Sequence, residues 1–347
     1  MEIETITPAT TEDYFALDFV SQSALKEIAK GAKAFKKALE PSEKKDYFTF
    51  GSAVDTLLTE PDEFSKRFFV GEIEFPSDNI KSIVDKVMEM NSYLNIPKKF
   101  SECELEITSG AQQIGYGQSW KLDTLINKVV EGGEAYYEFL IESNGKETLS
   151  KSAYYKVEKC VEYLITDKYT KQYFPTNNEM TKGVDYKYQA AIIWNYEGIQ
   201  CKSLLDILII DHNSKTIQPV DLKTTSMPTS DFEKGFLKFR YDFQAAFYME
   251  ALYTWKKNHG YSGYAILEFK FIVVKSSADE APMVFTCPDA VVTKAMTGFT
   301  TKTGYKYMGV EEAFAEYMWH EANEWSIEYS REYIENNGNI NLKLNIE

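Results

Sequence analysis

From Lys187 to Thr225 the chain reads as three successive strands with little between them, and no other stretch constrains the fold as tightly. "KYQAAIIWNY" runs into a turn at Glu197-Gly198, "IQCKSLLDILII" follows, a polar turn covers Asp211 to Ser214, and "KTIQPVDLKTT" closes the series. Short polar turns between β-rich runs make each strand the antiparallel neighbour of the last, so a β-meander is expected. Such a sheet needs helices to cover it, and the flanking sequence supplies them. A helix is expected over "SQSALKEIAKGAKAFKKAL", from an N-cap at Ser21 to about Leu39, and another from about Phe50 to Thr59, stopping before Glu60-Pro61. Further helical patterns lie in "NIKSIVDKVMEM", "SWKLDTLINKVV" and "YYKVEKCVEYLI". The "SNG" of Ser143 to Gly145 fits either a hairpin turn or a helix ending at Asn144-Gly145. After the meander come a long helix from about Ser230 to Asn258, strands in "YAILEFKFIVVK" and "PMVFTCP", and a closing helical section.

No repeat or Gly/Ser linker interrupts this order, so a single α/β domain over residues 1–347 is expected. Within it, 1–15 is a flexible start, 16–186 a mostly helical portion, 187–290 the sheet and its following helix, and 291–347 a C-terminal helical section. A composition of 44% hydrophobic and 15% aromatic residues is ample for a core at this length. The longest apolar runs are too short to span a bilayer, and the acidic start has neither the charge nor the apolar centre of a signal peptide, so a cytoplasmic location is expected. Cys103, Cys160, Cys201 and Cys287 are scattered, with no CxxC pair, and read as buried thiols rather than as a zinc site or disulfide framework.

The formal charge of −15 argues against a protein that coats nucleic acid through its overall field, because phosphate binding rests on Lys and Arg displacing counterions. A local basic track remains compatible with it. On a continuous helix Lys26, Lys30, Lys33 and Lys37 fall in one narrow stripe, with Leu25, Ile28, Phe35 and Leu39 opposite.

Two carboxylates stand where a core is expected. In "SLLDILII" alternation places Asp206 on one face with Leu204, Leu208 and Ile210, and Leu205, Ile207 and Ile209 on the other. An ionised carboxylate there costs several kcal/mol unless it is paired or bound to a cation. The next strand supplies Asp221 and Lys223, two apart and therefore on one face, and a tight turn would bring Asp206 and Asp221 side by side. Two acids sharing a small space repel unless a divalent metal lies between them, and oxygen ligands alone point to Mg²⁺ or Mn²⁺. Downstream, Gln244 and Tyr248 share one helix face, with Lys234, Lys238 and Tyr241 near it, a set suited to a phosphate track.

Asp206 followed by Asp221-Leu222-Lys223 on the next strand resembles the PD-(D/E)xK nuclease motif. Gln244 and Tyr248 in "QAAFY" resemble the QxxxY arrangement of RecB- and RecE-type nucleases, "FGSAVDTLLTEPDEF" the family's GxxxH helix, and "SQSALKEIAKGAKAFKK" the Ser-x-Ser-x-Leu opening helix of phage and prophage RecE-like exonucleases. The resemblance implies a restriction-endonuclease-like core, a central mixed sheet flanked by helices with an N-terminal helical elaboration. It implies Mg²⁺ or Mn²⁺ held by Asp206, Asp221, Asp55 and the backbone carbonyl of Leu222, with Lys223 orienting the attacking water or stabilising charge on the phosphate. Gln244 and Tyr248 would hold the substrate and the site geometry, and Ser21, Ser23, the four lysines of the stripe, Lys234 and Lys238 would contact DNA. The chain departs from the pattern at Asp55, where the family has histidine, and at Leu204, where many relatives have arginine. Too few cysteines lie downstream of the core for an iron–sulfur cluster. The implied activity is 5′→3′ exonuclease action on linear duplex ends, feeding a single-strand annealing protein, with rings of three or four subunits known in the group. The alternatives are a single-strand or structure-specific nuclease of the same fold, or an inactive protein that binds DNA ends or a recombination partner.

Overall fold

The computed structural model describes residues 11–40, 46–94, 96–176, 180–325 and 331–339. The chain divides into two compact units, Met1–Lys44 with Glu162–Glu347, and Lys45–Val161. In chain order the strands are β1 (Val20–Ser21), β2 (Phe68–Gly71), β3 (Glu147–Ser150), β4 (Val184–Tyr196), β5 (Ile199–Asp211), β6 (Thr216–Thr225), β7 (Ala265–Ile266), β8 (Phe269–Lys275) and β9 (Met283–Cys287). A further small pair joins Phe299–Thr300 to Lys306–Tyr307.

The second unit is helical, with β2 and β3 as a parallel pair. Its helix Asp46–Thr59 stops before Glu60, and the next, Pro61–Arg67, starts on a proline at a first-turn position that needs no N–H. Helices Asp78–Met90, Glu104–Ile114 and Leu122–Ser143 enclose a core of Ile83, Val84, Val87, Ile107 and Val129, with Phe100 stacked on Tyr137. Asn144 closes the last of these in the left-handed conformation, so "SNG" is a helix end and not a hairpin.

The first unit contains the expected meander. Strands β4, β5 and β6 are successive antiparallel neighbours, β8 joins β6 in parallel, and β9 is antiparallel to β8. The seven-stranded sheet is therefore mixed. Glu197 and Gly198 both adopt positive φ, which gives the two-residue turn the twist that tight hairpins need and fixes Tyr196 opposite Ile199. The helix Tyr241–Asn258 covers one face of the sheet. Its residues 242–249 are all buried, because the sheet lies on one side of it and helices Asp289–Thr297 and Val310–Ala322 on the other. Phe247 packs edge-on to Trp194, and Tyr196 stacks on Phe314.

Two helices expected to be continuous are broken. The opening one starts as read, with Ser21 Oγ accepting from Ala24 N, but it is Gln22–Leu25 followed by a 3-10 turn, Lys26–Lys30, then Ala32–Leu39 after Gly31 at φ 102°. The lysine stripe therefore does not exist as one helix face. The expected helix from Ser230 divides into Phe232–Phe236 and Tyr241–Asn258, with Arg240 left-handed between them at φ 60°. Arg240 is held there by Asp242 and by donating to the Met308 carbonyl at 2.7 Å, a contact from 68 residues away that outweighs local helix preference. Lys234 and Lys238 consequently lie off the helix that carries Gln244 and Tyr248. Among the described residues no helix is long and apolar enough to cross a membrane.

Candidate active site

Turn lengths set the row on which the site is built. The β5–β6 ladder runs from Asp211–Thr216 to Ile207–Val220, so the next rung would place Asp206 opposite Asp221. There the strands part. The N–H of Leu222, which a continued ladder would give to β5, donates instead to the Asp206 carboxylate (Oδ2, 2.7 Å). In an extended strand the N–H and C=O of one residue point to the same edge, so the Leu222 carbonyl also faces this gap. Strand β1 pairs with β5 at Cys201 and Lys202, on the edge that β6 vacates.

Asp221 is 2% exposed. Its Oδ1 accepts from Gln244 Nε2 at 2.6 Å, and its Oδ2 is ion-paired to Lys223 Nζ at 2.5 Å. Lys223 keeps 20% of its side chain exposed, and its ammonium lies 5.1 Å from the centre of the Tyr241 ring. Burial raises the Asp221 carboxyl above its ordinary value despite these partners. Asp206 is pushed up to about 7, by burial first and by the Asp221 charge second, with Lys223 and the Leu222 N–H pulling the other way. Lys223 is raised, because Asp221 and Asp206 outweigh the burial that opposes its charge, and it is held as an ammonium. Tyr248, buried beside both acids, is raised well above the ordinary phenol value, chiefly by burial, and stays a neutral hydroxyl.

Asp206, Asp221, Lys223, Gln244 and Tyr248 are thus brought together in one unit. Lys26 lies within electrostatic reach of them: it is partly buried in the 3-10 turn, and its ammonium is lowered mainly by burial, with Glu27 opposing the shift and Lys223, Lys30 and Arg240 adding to it. The other cations expected on DNA are placed differently. Lys30 is paired to Glu27 at 2.6 Å and Lys234 to Asp231 at 2.8 Å, while Lys33, Lys37 and Lys238 are exposed. Ser21 is occupied as an N-cap and shares a 2.9 Å hydrogen bond with the exposed Ser23. Asp55 belongs to the second unit, on the helix Asp46–Thr59, where its backbone carbonyl accepts from Thr59 Oγ1. Among the described residues no group of three or more His, Cys, Asp or Glu side chains gathers as a metal cluster. The Asp206–Asp221 pair nevertheless fits a hard divalent cation, since burial first and the neighbouring Asp221 charge second disfavour an ionised Asp206, and a cation would offset both.

One residue that sequence reasoning passed over also belongs to the row. The two-residue turn at Glu197-Gly198 sets Gln189 opposite Asp206, a placement that could have been counted from the turn. Gln189 has φ 47° in mid-strand, and its side chain hydrogen-bonds the Asp206 carboxylate. The alternation of β5 slips at the same level. Leu208 and Ile210 pack in the core as expected, but so do Leu205 and Cys201, so the regular alternation expected from Leu204 to Ile210 does not hold.

A mixed sheet flanked by helices, with a D…DxK set at the point where two strands part, defines a PD-(D/E)xK-type nuclease fold. A family profile described as a PDDEXK-like domain of unknown function matches residues 21–312, and the chain belongs to that family. Among solved structures, a candidate exonuclease from Eubacterium rectale is similar at 14% identity and a TM-score of 0.46, covering 98% of this chain and 96% of its own. No curated protein matches the sequence.

Proposed function

We propose that this chain is a metal-dependent deoxyribonuclease that degrades linear duplex DNA from its ends. The observation that carries the reading is the meeting of Asp206 and Asp221 at the parting of β5 and β6, with Lys223 beside them. Asp206, Asp221 and the Leu222 carbonyl would hold Mg²⁺ or Mn²⁺, and Asp55 is kept as a further ligand on the resemblance alone. Held there, such a cation would supply polarisation of the scissile phosphate and a lowered pKa for an attacking water. Lys223, cationic and partly exposed, would donate to the phosphate or orient the water from its place beside Asp221. Gln244 holds Asp221 through Oδ1, and the other oxygen is left to Lys223. Lys26, within electrostatic reach of Lys223, would meet a neighbouring phosphate. Attack from 5′ ends, a role in phage-type recombination with an annealing protein, and a ring-shaped oligomer extend this reading by resemblance.

The test is cleavage of end-labelled linear duplex against closed-circular duplex, with Mg²⁺, Mn²⁺ or chelator. Metal-dependent loss of the linear form alone is expected, with label released from the 5′ end first. Cleavage of circles would favour a structure-specific nuclease. Tight binding of ends without cleavage under any metal would leave only the DNA-binding alternative.

A further inference from the structure

We propose that Gln189 is a positioning residue, held left-handed in the middle of β4 so that its amide aims the Asp206 carboxylate into the site. The inference rests on the nuclease reading and adds to it a residue that the D…DxK and QxxxY patterns do not contain. It starts from a cost. A non-glycine residue at φ 47° inside a strand is disfavoured, and such a conformation persists only where the surroundings impose it. Here the strain coincides with three other features on one rung. The β4–β5 ladder pairs Tyr188 with Ile207 and Ala190 with Leu205 but skips the intervening pair, Gln189 and Asp206. The face of β5 changes phase at that rung, since Leu205 packs in the same core as Leu208 and Ile210. On the far side, Asp206 has lost its β6 rung as well and takes the Leu222 N–H instead.

These features have one mechanical reading. A regular strand would send Leu205 and Asp206 to opposite faces, so either the core would lose Leu205 or the site would lose Asp206. The left-handed kink at Gln189 lets both turn inward. The Gln189 amide then supplies Asp206 with a donor on the β4 side to match the Leu222 N–H on the β6 side. Gripped from two strands, the carboxylate cannot rotate away when it repels Asp221, and it meets an arriving cation already oriented.

The test uses the full chain with Gln189→Met, which keeps length and loses the donor, and Gln189→Gly, which suits φ 47° and removes the side chain altogether. Mn²⁺ binding is measured by calorimetry, DNA cleavage as kcat and KM separately, and folding by thermal melting. In both variants Mn²⁺ affinity and kcat should fall by roughly 10–100-fold, the usual effect of losing a partner that orients a metal ligand, with KM for DNA little changed. Gln189→Gly should melt no lower than wild type, because strain is relieved as the contact is lost. If Gln189→Met does not fold, Gln189→Gly carries the measurement. Wild-type Mn²⁺ affinity and kcat in the folded variants would overturn the inference and leave the nuclease reading standing. A wild-type chain that binds no Mn²⁺ and cleaves no DNA would overturn both.

Discussion

Asp221 and Lys223 touch each other, and their substitutions should nonetheless fail differently. Asp221→Ala removes one of the acids proposed to hold the cation, so cleavage should drop to background and calorimetry should show Mn²⁺ binding lost; turnover at the wild-type rate would remove Asp221 from the site. Lys223→Ala leaves both acids in place, so Mn²⁺ should still bind at neutral pH and above while kcat falls by roughly 10²–10³-fold. Unchanged turnover in that variant would make the pair a structural ion pair only. Asp206 supplies a pH dependence whose direction can be worked out. Its carboxyl is raised from 3.8 to about 7 in the folded chain, so between those values the folded state holds a proton that the unfolded state has released. Metal-free stability contributed at this position is therefore lost as pH rises through that window. Asp206→Asn should gain melting temperature relative to wild type from pH 5 to pH 8, and saturating Mg²⁺ should narrow the gap by stabilising wild type alone. Parallel melting curves for the two proteins across the window would mean that Asp206 ionises normally.

At the level of elements, the sequence is legible where turns are short and illegible where distant contacts decide. The meander could be read because Glu197-Gly198 and the polar turn after Asp211 leave the chain no other course, and the same turns determine which residues of β4, β5 and β6 meet. Asp206 and Asp221 were thereby legible as partners, and Gln189 was countable as well. The parting of β5 from β6 was not legible, because β6 leaves β5 to run beside β8, about fifty residues further on. The division of the long helix at Arg240 was hidden for a similar reason, since the anchor is the Met308 carbonyl. Gly31 is different, because its break is local. At φ 102°, ψ 166° it occupies a region nearly closed to other residues, and a Cβ there would meet nothing within 4 Å. Gly31→Ala should therefore lose about 1–3 kcal/mol from backbone strain alone, read as a lower denaturant midpoint at constant slope. A neutral result would show that the turn between Lys30 and Ala32 can be rebuilt at no cost.

For the whole molecule the question is how a chain of net charge −15 holds a polyanion. Long-range attraction is excluded by sign, so binding must rest on a few cations placed where phosphates arrive, and the structure reduces the candidates further. Lys30 and Lys234 are already paired with carboxylates, whereas Lys26 sits partly buried beside Lys223 and Arg240. Its ammonium is disfavoured first by burial, and Glu27 offsets part of that cost while Lys223, Lys30 and Arg240 add to it, so a phosphate placed beside it would relieve the remainder. Two readouts of Lys26→Met should accordingly move in opposite directions. The metal-free protein should melt at the same temperature as wild type or higher, because a poorly solvated charge is gone. Binding to linear duplex should weaken, and the slope of log K against log salt should become shallower by about one phosphate contact. Lys33→Met, which neutralises an exposed lysine two residues past the Gly31 break, is the control and should change the slope less. If Lys26→Met lowers the melting temperature and leaves the salt slope intact, Lys26 is part of the packing and the phosphates are met by other residues.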